Sequence, residues 1–139
     1  MTAKEYLRQV RQLDNKAQYA LSIYRQYERH EITLRSPRYD SDRVQSSGIG
    51  GFTEQVDKII DLQIKAKKAW NRYLAQKDKI NRQIQRIEWP HGDILFKRYI
   101  EYKDFETIAD EIGYSYPHTL RLHGEALQAF EQLFLKDDR

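Results

Sequence analysis

The chain has 139 residues, with 24 Lys and Arg against 21 Asp and Glu for a formal charge of +3, and 40% of it is apolar. This suits one soluble domain, or a small domain joined to an extended element. Charged residues make up 32%, yet there are only 6 Gly and 3 Pro, which excludes a disordered tail and a turn-rich β sandwich and predicts an all-α chain. The absence of Cys removes disulfides, thiol nucleophiles and thiolate metal sites, so the cytoplasm is the expected compartment. Met1-Thr2-Ala3-Lys4-Glu5 leads into a charged amphipathic run, and no window approaches the roughly 20 apolar residues of a membrane span. No export or insertion signal is visible, and no membrane partner is expected.

Apolar or small residues at Ala3, Tyr6, Val10, Leu13, Ala17, Ala20, Tyr24 and Tyr27 alternate in steps of three and four, the spacing of a heptad seam. Thr2 is the expected N-cap. Pro37 restricts Ser36 and lacks an amide hydrogen, so the helix is placed at about 2–29. Residues 30–52, with Ser36-Pro37-Arg38, Asp40-Ser41-Asp42 and Ser46-Ser47-Gly48-Ile49-Gly50-Gly51, read as a long polar linker. It is long enough to run back along a helix, which leaves the direction of helix pairing open.

A second seam runs Val56, Ile59, Gln63, Ala66, Trp70, Tyr73, Lys77, Ile80, Ile84 and Ile87, with Thr53 as the expected N-cap of a helix over about 53–88. At 1.5 Å per residue such a helix is roughly 50 Å long, too long to bury its seam in a compact domain without a partner helix. The first helix can supply that partner, and so can a second copy of the chain. Val10, Leu13, Ile59, Trp70, Tyr73, Ile80 and Ile84 are therefore the candidate oligomerisation residues of a homo-oligomer. Gln63 and Lys77 read as devices that set register or partner number. Of the ten tyrosines, Tyr6, Tyr24, Tyr27 and Tyr73 fall on the seams, with rings packed and hydroxyls at the rim.

Trp89-Pro90 marks a break, with Trp89 expected to join the long hairpin to the C-terminal helices. Ile94, Leu95, Tyr99 and Ile100 form one face of a short helix over about 91–101. Asp104 caps a helix carrying Phe105, Ile108, Ala109 and Ile112 on one side, and Gly113 takes the left-handed conformation that ends it. Ser115 caps the last helix, which tolerates Pro117 in its first turn and buries Thr119, Leu122, Ala126, Leu127, Phe130 and Leu133 or Phe134. Two helices joined by a short Gly-containing turn fit a helix-turn-helix, or an ordinary helical hairpin.

The string Phe105-Glu106-Thr107-Ile108-Ala109-Asp110-Glu111-Ile112-Gly113-Tyr114-Ser115, followed by Glu125-Ala126-Leu127, resembles region four of bacterial sigma factors. There an "IA-x-x-x-G-x-S" turn precedes the DNA-reading helix. Met1 to Leu7, Asp42 to Ser47, Val56 to Leu62, Gly113 to Tyr116, Leu120 to Gly124 and Ala126-Leu127 together look like the small phage regulators of the ArpU and RinA type, over nearly the whole length. The resemblance implies a phage or prophage protein that acts on transcription of late genes, an expected activator, through a sigma-like helix-turn-helix. Double-stranded DNA is the implied partner, with RNA polymerase as a second one, in the cytoplasm of a bacterial host.

With Thr119, Leu122, Ala126 and Phe130 inward, Tyr116, His118 and Arg121 point outward near the N-terminal end of the last helix, where a recognition helix meets base edges. Arg121 suits bidentate bonding to guanine, and His118 suits donation to a base or phosphate. Ser115 completes this set at the cap. Leu120 stands where sigma proteins often carry a cation, and Pro117 replaces a position that is usually polar. The plain alternative for these residues is a solvated helix face.

Residues 104–139 hold three cations against eight anions, so this segment alone should bind DNA weakly, because phosphate neutralisation supplies most non-specific affinity. Lys97, Arg98 and Lys103 on the short helix, and Lys65, Lys67, Lys68, Arg72, Lys79, Arg82 and Arg86 on the second long helix, are candidates for the missing backbone contacts. The acidic face itself suits contact with RNA polymerase.

Enzymatic chemistry is not expected. His118 and His123 are five apart and point to different sides of a helix, unlike an i, i+4 zinc pair, and His30 and His91 lie in separate loops, so no metal and no cofactor is expected. Gly48-Ile49-Gly50-Gly51 follows no strand and reads as linker. Asp110-Glu111 and Asp137-Asp138 read as solvated acids.

The sequence thus predicts a long two-helix coiled-coil element over 1–88, including the linker, and then a three-helix sigma-like helix-turn-helix module over 89–139. The expected function is sequence-specific DNA binding in phage transcription control. A small terminase subunit that recognises a packaging site, and a protein adaptor that touches polymerase without reading bases, are the alternatives.

Overall fold

The computed structural model describes residues 1–35 and 47–136, with side chains described over 1–29 and 53–136. All regular structure among these residues is helical: α1 (Ala3–Arg35), α2 (Ser47–Gln85), α3 (His91–Leu95), a π turn (Phe96–Ile100), α4 (Phe105–Ile112) and α5 (Tyr116–Phe134). None of these helices is long and apolar enough to cross a membrane.

The N-terminus of α1 is a reciprocal capping box. The Thr2 amide donates to the Glu5 carboxylate (3.1 Å), and the Glu5 amide donates to Thr2 Oγ1 (3.2 Å). The helix runs six residues beyond the expected end, because nothing from His30 to Arg35 breaks it. Likewise α2 begins at Ser47, so Thr53 lies inside the helix and is not its cap. The linker read over 30–52 is therefore helical at both margins. Its middle, with Ser36-Pro37 and Asp40-Ser41-Asp42, lies outside the described residues, as does Asp137-Asp138. At its other end α2 stops at Gln85, where Arg86 and Ile87 donate to carbonyls three residues back (3.2 and 3.0 Å), tightening the last turn.

The chain divides into two compact units, Met1–Asp14 with Tyr73–Arg139, and Asn15–Arg72. This does not coincide with a division at residue 88. The first turns of α1 and the end of α2 pack with the C-terminal helices. Tyr6 lies ring to ring with Phe130 (5.7 Å between centroids) and donates its hydroxyl to Gln83 (2.8 Å), while Gln76 donates to Gln9 (3.0 Å). Those pairings make α1 and α2 antiparallel in this unit.

All of the largest fully buried side chains among the described residues belong to the discontinuous unit: Phe130, Leu7, Ile80, Ile84, Ile94, Leu95, Ile108, Val10 and Thr119. Leu7 lies outside the predicted seam. It is buried because this end of α1 contacts more than one neighbour, which needs a wider stripe than a two-helix coil. Gly92 marks a close approach: its amide donates to the Glu88 carbonyl (2.9 Å), and a β-carbon there would collide with the carbonyl of Ile87. Trp89, in a cis bond to Pro90, is 63% exposed and meets the Tyr114 ring (6.0 Å between centroids), a contact that links the segment after α2 to the turn between α4 and α5.

The continuous unit is a helix pair. Ala17, Ile59 and Ala66 are buried, Lys58 lies over the Tyr27 ring (4.8 Å), and Leu21, Tyr24, Gln63, Ala66, Lys67 and Trp70 line an open groove of about 340 Å³. The order of these pairings is again antiparallel. Of the seven residues expected to form an oligomer surface, Val10, Ile59, Tyr73, Ile80 and Ile84 are buried within the chain itself and Leu13 is half-buried. Trp70 stays 36% exposed. Helix one thus supplies the partner that the seam of α2 requires.

Candidate nucleic-acid interface

The segment from Asp104 to Phe134 is built by three local devices. Asp104 is extended and its carboxylate accepts from the Thr107 amide (2.8 Å); hydrogen bonding to the Thr107 side chain, and then to this amide, holds its pKa below the usual carboxylate range. Gly113 ends α4 at φ 80° and ψ 24°, with its own amide and that of Tyr114 both donating to the Ala109 carbonyl (2.9 and 3.1 Å). Ser115 then caps α5 by accepting from the His118 amide (3.3 Å). Ile94, Ile108 and Leu122 form the core beneath the turn, with Phe105, Ile112 and Tyr114 packed against it. Thr119 is fully buried, and its hydroxyl is satisfied by the Ser115 carbonyl (2.9 Å).

The burial of Thr119, Leu122, Ala126 and Phe130 leaves the opposite face of α5 outside. Tyr116 is 47% exposed, Leu120 is 39% exposed, and Arg121 is exposed with no ion pair to another described residue. His118 is half-buried, and the Tyr114 ring meets it edge-on (4.9 Å), so one side of the imidazole is already covered. The structure therefore groups Ser115, Tyr116 and Arg121 at the accessible N-terminal end of α5, with His118 turned partly inward.

The three cations expected to contact phosphate from the preceding segment are engaged inside the module. Lys97 pairs with Glu111 (2.7 Å) and is only 18% exposed. Lys103 reaches both oxygens of Glu111 (2.8 and 2.9 Å) and also Glu101 (3.2 Å). Arg98 donates to the Lys103 carbonyl (3.0 Å) and lies over the Phe105 ring (4.4 Å). Hydrogen bonds from Lys103 and Lys97 hold Glu111 below the usual carboxylate pKa, and the bond to Glu111 raises that of Lys103. A phosphate would have to compete with Glu111 for both lysines. No sequence period links residues 97, 103 and 111 across two helices and a turn, so this hub was illegible in the chain.

The backbone explains why those cations converge. Phe96–Ile100 is a π turn, closed by the Glu101 amide donating to the Phe96 carbonyl (3.1 Å), where the sequence predicted a plain helix to about 101. The Lys103 amide also returns to the Lys97 carbonyl (3.0 Å). Between them Tyr102 adopts φ 60°, a left-handed conformation that costs energy for a residue with a side chain. Its hydroxyl donates to Asp14 (2.8 Å) and its ring carries the Arg11 guanidinium (5.3 Å), contacts that hold it there.

His123 was not among the predicted core residues, although its spacing from Thr119 and Ala126 places it on the buried face. It shares a hydrogen bond with the Tyr99 hydroxyl (2.9 Å) and meets the edge of Phe105. Burial lowers its pKa to about 4, and the charges of Arg98 and Lys4 act in the same direction. It is a neutral core histidine. No group of three metal-ligating side chains occurs among the described residues; His91 pairs with Glu125 (2.9 Å). Comparison with known protein families, curated proteins and solved structures finds no match to the chain.

Proposed function

We propose that this protein binds double-stranded DNA sequence-specifically through α5 and acts as a phage or prophage transcriptional regulator in the cytoplasm of its bacterial host. The observation that carries the reading is the doubly capped helix-turn-helix, whose rigid core leaves Tyr116, Leu120 and Arg121 outward at the N-terminal half of the second helix. A helix presented in that way enters the major groove with its first turns toward the bases. Arg121 is the base reader of this proposal, and Ser115 and Tyr116 flank it. Late-gene activation belongs to the same proposal, and so does a homo-oligomer in which several weak heads add, built on a surface other than the intrachain seam.

The test is anisotropy binding to fragments tiled across the native genome neighbourhood, at about 50 and 200 mM salt, with wild type beside Arg121→Ala. Retention of one fragment upstream of late genes, weakened in the variant by roughly 1–3 kcal/mol, supports the regulator. Retention near terminase genes instead selects a packaging protein.

A second reading has its own observation. Glu106 and Asp110 are both exposed one turn apart on α4, and the nearby lysines are already taken by Glu111. That acidic face fits an adaptor that contacts RNA polymerase. An adaptor tolerates Arg121→Ala and binds no fragment.

A further inference from the structure

A row of cations on α1 carries no ion pair with a described residue. Lys4, Arg8 and Arg11 occupy positions i, i+4 and i+7, one face of the helix, and all three are exposed. The two acids in this part of α1 are committed elsewhere: Glu5 to the Thr2 amide, and Asp14 to the Tyr102 hydroxyl. Arg11 stacks on the Tyr102 ring (5.3 Å), which seats this end of the row against the loop that leads into α4. The contrast with Lys97 and Lys103, whose charges Glu111 offsets, is direct.

We propose that Lys4, Arg8 and Arg11 form a strip that contacts the sugar-phosphate backbone of double-stranded DNA, supplying the sequence-independent part of the affinity. This rests on the DNA-binding reading above and adds where its backbone contacts come from. From residue 4 to residue 11 the strip is about 10.5 Å long at 1.5 Å per residue, which measured along the duplex axis covers about three base-pair rises of 3.4 Å each. Leu7, between Lys4 and Arg11, is buried, and the exposed Met1 precedes the helix rather than lying within the strip. A protein partner would need an apolar anchor on this face, whereas a phosphate row needs only spaced cations. The field of the strip also reaches the module core. Burial dominates the shifts of His123 and Tyr99, and Lys4 and Arg8 respectively add positive potential there.

The experiment is the salt dependence of binding to a 30-base-pair random duplex and to any fragment that wild type retains. Wild type, Arg121→Ala and the combined Lys4→Gln, Arg8→Gln, Arg11→Gln variant are compared. Each lost phosphate contact removes about 0.9 from the slope of log K against log salt, so the triple variant should lose about 2 to 3 in slope and bind both duplexes at least tenfold more weakly at about 50 mM salt. Arg121→Ala should keep most of the slope and lose discrimination. Should the triple variant melt early, the double Lys4→Gln, Arg8→Gln variant keeps the Arg11–Tyr102 contact and should lose about 2. An unchanged slope in folded variants, while Arg121→Ala still loses its fragment, overturns the strip and leaves the DNA reading standing. Absence of salt-dependent binding of wild type to any duplex overturns both, as does charge-dependent binding to polyglutamate alone.

Discussion

The two compact units use the same three-four seam to very different effect. In Asn15–Arg72 a pair of helices buries Ala17, Ile59 and Ala66 and leaves Ile60 and Ile64 nearly half exposed. In the discontinuous unit α1 and α2 meet further helices, and Leu7, Val10, Ile80, Ile84 and Phe130 are sealed almost completely. A heptad pattern specifies which face turns inward. How much surface is then removed from water depends on how many neighbours that face finds, so equal seams need not carry equal stability.

The sharpest way to break this comparison is truncation on both sides. Phe130→Ala should cost about 3–5 kcal/mol and Ile59→Ala about 2 kcal/mol, because Phe130 is the larger side chain and fully sealed, whereas Ile59 is buried between two helices that can close over the gap. Urea unfolding followed through Trp89 in one unit and Trp70 in the other, each as the only tryptophan, reads them separately. Equal losses would mean that the helix pair is as well packed as the helical module.

A smaller effect belongs to the discontinuous unit alone. His123 has a folded pKa of about 4 against 6.5 for the free group, so the unfolded chain binds its proton first as pH falls. The contribution is fully present above pH 6.5 and is lost as pH drops toward 4, with a slope of at most about 1.4 kcal/mol per pH unit. His123→Gln should remove that slope from the Trp89-reported stability and leave the Trp70-reported one unchanged. The smallest expected effect is that of Tyr102→Phe. It deletes the hydroxyl bond to Asp14 and should cost about 1 kcal/mol, read by the same denaturation.

Much of the fold was legible because helices write their faces and ends into the sequence. The seam of α1, the Thr2, Asp104 and Ser115 caps and the left-handed Gly113 all rest on interactions within four residues of one another. The inward face of α5 followed from period alone, and Tyr116 and Arg121 fell outside it. What escaped depends on partners distant in the chain. Leu7 is buried by a neighbour that no local pattern names, the π turn and the left-handed Tyr102 are held by Asp14 and Arg11, and Glu111 gathers lysines from two other segments. The α1 cations carry no local signal for a related reason: charge on a seam helix has the pattern of a solvated flank, and only the structure shows that Glu5 and Asp14 are engaged elsewhere.

The discontinuous unit also sets an order of events during synthesis. Tyr6 meets Phe130, and Asp14 meets Tyr102, across 124 and 88 residues of chain. The first turns of α1 therefore leave the ribosome long before these partners exist, whereas residues 15–72 form a compact unit of their own. Contacts of such sequence separation form slowly, since the loop between them must close first. Until Phe130 has emerged, Tyr6, Leu7 and Val10 are an amphipathic stripe waiting for cover, a natural resting place for a chaperone.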